Sequence, residues 1–264
     1  MNSHTKAVYL SVRVSVIVTV LAIVIATLTV IHAGVQICWK TQSCGPATSP
    51  INQFGYLFDL NSEASFPNWF STVQLFAVAV CLGFQAAIER VRGAASLAWW
   101  GLAAIFVVLS FDEAVDLHGL LRDITGSPII PGTKSMWFNW VVQGSVIFVA
   151  VAAVYVRWVL ALPSKTRNFF ILAGAVYTFG ALGLEMVGGI VVDDTFLNAT
   201  YLYVSTAEEV MEMTGILIML YAVLQHLGQY VVAFHIRTDM AKDFSVQKMP
   251  DAIAALLPRE PLSR

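Results

Sequence analysis

Charged side chains are scarce here: 12% of the 264 residues are Asp, Glu, Lys or Arg, against roughly 25% in soluble domains. With 58% hydrophobic residues and a mean hydropathy of +0.73, that scarcity excludes a soluble globular chain and puts this one in the membrane class. A net charge of −2 gives no reason to expect nucleic acid or another strongly charged partner. Sequence signatures of common chemistry are missing as well. There is no P-loop, no Gly-x-Ser-x-Gly, no His-Glu-x-x-His and no Cys-x-x-Cys. The nucleotide-phosphate cradle, the nucleophile elbow, the zincin helix and the dithiol pair are therefore excluded.

What the sequence has instead is long apolar runs. A span needs about 20 apolar residues, and six runs qualify, about 12–37, 69–89, 94–117, 136–160, 168–192 and 200–228. The first is too long for the h-region of a signal peptide and no small-x-small cleavage site in a polar setting follows it, so it reads as a span. The expected fold is an all-α polytopic membrane protein, a six-helix bundle within residues 1–234, with a polar cytoplasmic tail over 235–264. Within the tail, 251–257 suits one short helix at the membrane surface.

Charge and tryptophan orient the bundle. Trp39, Trp69, Trp137 and Trp140 fall at one set of span ends, and Trp99, Trp100 and Trp158 at the other, as an interfacial aromatic belt requires. With both termini in the cytoplasm, the inner segments carry Lys6, Arg13, Arg90, Arg92, Arg157, Lys165, Arg167, Arg237, Lys242, Lys248, Arg259 and Arg264, and the outer loops only Lys40, Arg122 and Lys134. That bias predicts an N-in/C-in multi-pass protein of the cell (inner) membrane. Cys38 and Cys44 share the first outer loop, where an oxidising periplasm would let them close a small disulfide loop. Cys81, inside the second span, reads as an apolar packer.

Ionisable residues inside a membrane are costly and mark function, and here they gather at one depth. The third span ends in Ser-Phe-Asp-Glu-Ala-Val-Asp-Leu-His (110–118), which sets Asp112, Glu113 and Asp116 roughly 3–9 Å below its outer end. Glu185 on the fifth span lies roughly 10 Å deep, and Glu208, Glu209 and Glu212 on the sixth roughly 12–18 Å deep. His32 and Gln36 on the first span, Gln74 on the second and Gln143 on the fourth fall in the same outer layer. Residues three or four apart share a helix face, so Asp112 with Asp116, and Glu209 with Glu212, can each aim two carboxylates at one point. The Gly-rich run 180–189 around Glu185 favours close helix approach in lipid. The outer loops add more acid, Asp59 and Glu63 just before the second span and then Asp123, Asp193 and Asp194, of which the last three read as solvated loop residues.

So many carboxylates cannot all stay ionised without compensation. Either some hold protons, or a cation sits among them. Carboxylates with histidines suit a transition metal such as iron, manganese or zinc, and an all-oxygen set would suit calcium. Helical bundles build dinuclear centres from such groups, although their usual Glu-x-x-His is absent here. Glu113 and His118, five apart, could act together only if the helix end unwinds. The Glu208–Glu209 pair opens like the glutamate motif of intramembrane CAAX-type proteases, but the Arg that continues that motif and the partner His motifs are absent. His32 and His226 lie at opposite ends of the bundle, which excludes one haem held by both.

The leading expectation is a metal-dependent membrane enzyme acting on a lipid or lipid-soluble substrate, its site facing the periplasmic or extracellular side. Its metal ligands would be Glu113, His118, Glu185, Glu209, Glu212 and His32. Asp112 or Asp116 would orient a ligand or serve as general base. A cation- or proton-coupled transporter would use the same residues but also needs a polar path through the inner half, where little beyond Ser and Thr is present. A non-catalytic accessory or assembly subunit would use the acidic layer to bind a partner or a structural calcium ion. No oligomeric state follows from the sequence.

Overall fold

The structure is a computed structural model that describes residues 13–46, 48–120, 137–192 and 198–228. Asp123, Asp193, Asp194, Arg122, Lys134 and the expected tail helix lie outside the described residues. Eight α-helices lie wholly within these residues: α1 (Val14–Lys40), α2 (Pro50–Tyr56), α3 (Phe66–Val91), α4 (Leu97–Val115), α5 (Trp137–Ala161), α6 (Ser164–Thr178), α7 (Glu185–Val191) and α8 (Ala199–Leu227); residues 117–120 are helical as well. A π-helical segment, Phe179–Leu184, joins α6 to α7. No strand occurs among the described residues. Taking α6, the π segment and α7 together, six helices among the described residues are long and apolar enough to cross a membrane, and the chain is a multi-pass membrane protein.

Helix starts follow local chemistry. Ser49, Ser65 and Asn198 cap α2, α3 and α8 by accepting the backbone N–H of Asn52, Asn68 and Tyr201, and Pro50 and Pro67 sit in the first turns where a missing N–H costs nothing. The Asn198 amide also donates to the Val191 carbonyl at 2.9 Å. It thereby ties the end of α7 to the start of α8.

The core belongs to α3 and α8, with α4 and α6 against them. Leu75, Val78 and Leu82 of α3 pack with Phe106 of α4, Phe170 and Ala173 of α6, and Ile216, Leu220 and Val223 of α8. In contrast, α1 and α5 present mostly exposed apolar side chains such as Val30, Val146 and Val154, as lipid-facing helices do. At the end of the bundle away from the acidic layer, Trp99 meets Trp158 edge-on at 4.8 Å and stacks on His226 at 5.2 Å. Beside them Glu89 accepts from Gln85 at 2.7 Å and pairs with Arg92, so the buried carboxyl there is satisfied locally.

Three details depart from the expected spans. The third span stops at Val115, because Asp116 turns left-handed (φ 52°), a conformation Asp tolerates better than most residues. The fifth is not one regular α-helix, since the π segment interrupts it. A short helix, α2, occupies the first loop, and the Cys38–Cys44 disulfide closes the turn ahead of it.

Candidate functional site

Three elements converge on one end of the bundle and enclose a cavity of about 290 Å³. From α8 come Tyr201, Ser205, Glu208, Glu209 and Glu212, whose spacing of four, seven, eight and eleven residues keeps them on one face. Tyr177, Ala181 and Glu185 face them across the π segment. In a regular α-helix each four-residue step drifts about 40° past a full turn; the wider π turn offsets that drift and keeps all three aimed inward. Gly180 makes the approach possible, since a Cβ there would lie 3.1 Å from the Glu208 carbonyl oxygen and 3.1 Å from Glu212 Cγ. The third contribution comes from the end of α4 and the helical turn that resumes after the break at Asp116, with Asp112, Glu113, Asp116 and His118.

A loop closes the cavity, and His32 fixes that loop. Its Nδ1 accepts the Leu60 N–H at 3.0 Å, and its Nε2 lies 3.0 Å from Thr206 Oγ1. The Thr206 hydroxyl donates onward to Leu202 O at 2.6 Å. This chain of bonds is consistent only with a proton on Nε2 and a lone pair on Nδ1. The nearby Asp59 Oδ1, 3.2 Å from Nδ1, is held instead by the Gln36 amide and the Asn61 N–H. Leu60, Asn61, Ser62 and Glu63 are thereby set along the cavity wall. Asn68 ties the wall to α4, donating to Glu63 Oε2 at 3.1 Å and to the Glu113 carbonyl at 2.9 Å.

His118 is gripped between two carboxylates. Asp112 accepts the His118 backbone N–H at 2.7 Å and lies 3.2 Å from Nδ1. Asp116 stands 3.3 Å from Nε2. The ring rests against Trp140 at 5.0 Å. Glu63, Asp116 and His118 each offer one ligand atom, all within 4.8 Å of one another. Burial alone would lower the His118 pKa, but the Asp112 hydrogen bond and the charges of Asp112, Asp116 and Glu63 together hold it above the ordinary 6.5. A raised pKa means that this contact stabilises the fold fully below pH 6.5 and loses that contribution as pH rises through the raised value.

The left-handed turn at Asp116 lets its carboxylate accept the Gly119 N–H at 2.9 Å. A Cβ at Gly119 would overlap that carboxylate. Gly119→Ala is therefore expected to push Asp116 off His118 and to lower the His118 titration midpoint, read from its ring proton resonances. An unchanged midpoint would show that Asp116 does not hold the ring.

Eight carboxyl groups line the cavity: Glu63, Asp112, Glu113, Asp116, Glu185, Glu208, Glu209 and Glu212. No Lys or Arg joins them among the described residues. Two carboxylates 4 Å apart repel by about 4 kcal/mol at an effective dielectric of 20. A few such pairs would exceed the 5–15 kcal/mol that typically holds a domain together. Glu185 and Glu208 both line this cavity, and two ionised carboxylates have no proton to share. Beneath the cavity on α3, the buried Gln74 amide has no partner among the described residues.

Glu113, His118, Glu185, Glu209, Glu212, Asp112 and Asp116 thus share one cavity. His32, expected as a ligand, is not among its lining residues, because both ring nitrogens are engaged in fixing the loop. Consequently α1 supports the site without lining it. Sequence reasoning named Glu63 as outer-loop acid without placing it in the site, and it passed over Asn68, Tyr177 and Trp140 as site residues. Glu63 carried a readable signal, standing two residues ahead of a Ser-Phe-Pro helix start at the same end as the acidic layer. Tyr177 carried none, since only the π segment sets its facing.

Comparison with curated proteins and with solved structures returns no match. Residues 16–227 match the family described as a domain of unknown function, DUF8692, and the chain belongs to that family.

Proposed function

We propose that this protein is a metal-dependent membrane enzyme acting on a lipid or lipid-soluble substrate at the carboxylate and histidine cavity. The observation that carries this reading is the group Glu63, Asp116 and His118, with Asp112 set behind the ring. A ligating histidine characteristically gives its other ring nitrogen to a carboxylate, which fixes its orientation and raises its basicity. Asp112 on Nδ1 fills that role and leaves Nε2 facing Asp116 and Glu63. The nitrogen donor favours a transition metal (iron, manganese or zinc) over calcium. Glu113, Glu185, Glu209 and Glu212, which line the same cavity, would complete the ligand set with their carboxylate oxygens. Such an ion, when bound, would polarise a carbonyl or phosphoryl oxygen or activate a water.

A transporter would need a polar route onward through the bundle. Below the cavity the described residues instead pack as the apolar cluster of α3, α4, α6 and α8. On this reading the site faces the periplasmic or extracellular side. The Cys38–Cys44 disulfide stands at that end, and Arg13, Arg90, Arg92, Arg157, Lys165 and Arg167 mark the other.

Asp112→Asn tests the arrangement. The amide keeps the shape but loses the charge on Nδ1, so affinity for Mn²⁺ or Zn²⁺ by calorimetric titration is expected to fall about 10–100-fold. Affinity equal to wild type would remove Asp112 from its positioning role.

A further inference from the structure

A second cavity of about 260 Å³ lies between α4, α5, α6 and α8. Its walls are almost wholly apolar, among them Leu102, Ile105, Leu109, Ile147, Phe148 and Met219. It meets the acidic cavity directly: Asp112, Trp140, Tyr177 and Ala181 line both. Ile147 and Phe148 are 57% and 42% exposed, so on the α5 side the groove opens toward lipid. Along α4 the lining runs from Leu102 to Asp112, about 15 Å at 1.5 Å per residue. That is half of the roughly 30 Å hydrocarbon thickness of a bilayer. The groove therefore reaches from the acidic cavity to the membrane midplane, the depth that a hydrocarbon tail of one leaflet occupies.

We propose that this groove holds one hydrocarbon tail of a membrane lipid from the leaflet at the acidic end, entering past α5, with the lipid's polar head delivered to the acidic cavity. The assignment of that lipid as substrate rests on the enzyme reading above; occupancy of the groove by a tail does not. A partner helix would seal the lipid-facing opening, but it would leave unexplained why the apolar channel ends on carboxylates and a histidine. The groove admits hydrocarbon and, among its lining residues, meets polar side chains at Asp112, Trp140, Tyr177 and Thr178, so it selects molecules that are apolar along their length and polar at one end. The tail shields the floor of the cavity from bulk lipid, and Trp140, which touches both spaces, marks the junction of head and tail.

Gly174 supplies a clean obstruction. It lines the groove, and a Cβ built there meets nothing within 4 Å, so Gly174→Leu fills the channel without a backbone clash. Ile147→Trp narrows the lipid-facing opening from an exposed position. Gly34→Leu is the control, since Gly34 on α1 also has open space around its Cβ and lies outside the groove. The probe is phosphatidylcholine with a diazirine in one acyl chain, reconstituted with the full chain in phosphatidylcholine vesicles, photolysed and mapped by mass spectrometry.

Labelling is expected to concentrate on Ile105, Leu109 and Ile147 and to fall at least about five-fold at Ile105 and Leu109 in Gly174→Leu and in Ile147→Trp, but not in Gly34→Leu. Label spread evenly over the lipid-facing helices, or label on the groove residues that neither variant reduces, would overturn the proposal. Crosslinks from groove residues to a second copy or to another protein in place of lipid would also overturn it. Metal content measured on the same samples separates the two readings. Groove labelling without bound metal would keep the tail site and remove the enzyme assignment, whereas bound metal without groove labelling would do the reverse.

Discussion

Chelation is expected to lower the thermal stability of the wild-type bundle and to leave Glu209→Gln/Glu212→Gln unaffected. An ion that binds only the folded chain stabilises it by about 2.7 kcal/mol at a hundred-fold excess over its Kd. For a domain of this size that corresponds to a shift of roughly 5–10 °C. Glu209 and Glu212 share the α8 face that looks into the cavity, beside Glu113 and Glu185. Turning both into amides removes two of the anionic donors and much of the local repulsion. The metal-free variant is therefore expected to melt above the metal-free wild type, and the metal-loaded wild type above both. This reversal distinguishes a metal centre from a merely structural role, in which the variant would melt below wild type with or without chelator. A chelator without effect on wild type would count against the metal reading.

The second large effect is expected at Gly215. Here α8 crosses α6 so closely that a Cβ would lie 2.7 Å from both Tyr177 Cβ and Tyr177 N and 2.8 Å from Tyr177 Cα. Those are backbone and near-backbone atoms, which cannot rotate away, so the helices themselves must part. Overpacking usually costs 1–3 kcal/mol, occasionally more, and Gly215→Ala is expected at about 3 kcal/mol, with Gly215→Val higher. Glu212 stands one turn before Gly215, and Tyr177 lines both cavities. Parting the helices should thus weaken metal binding along with the fold. Gly34→Ala is the comparison, because a Cβ there meets nothing within 4 Å. Thermal melting in detergent that gave the two variants equal stability would show that the crossing is looser than described.

Much of this was legible in the sequence. Hydropathy alone delimits the six spans to within a few residues, because the bilayer sets their length and forbids charge inside it. The acidic layer was legible for the same reason: Glu209 and Glu212 stand out only because a membrane helix has so few charges. Depth, however, does not specify direction. His32 lies at the right level, yet its neighbours Leu60 and Thr206 come from a distant loop and helix, and its ring is used in fixing them. Glu63 was read as acid of the outer loop because it precedes its span, and only the pinned loop brings it back over the cavity. The π segment leaves no hydropathy signal, since its residues are as apolar as those of an α-helix, and it decides where Tyr177 and Glu185 point. The break at Asp116 was foreseen only as a condition for Glu113 and His118 to act together. Nothing in a run of Leu, Ile and Gly indicates a groove, which arises from how α4, α5 and α6 are spaced.

Metal content by mass spectrometry on detergent-purified protein, prepared without chelator and compared with Glu209→Gln/Glu212→Gln, tests the central claim most directly. The account predicts iron, manganese or zinc in a fixed ratio to the wild-type chain and its loss in the variant. Wild-type protein free of transition metal, or metal retained unchanged in the variant, would contradict it.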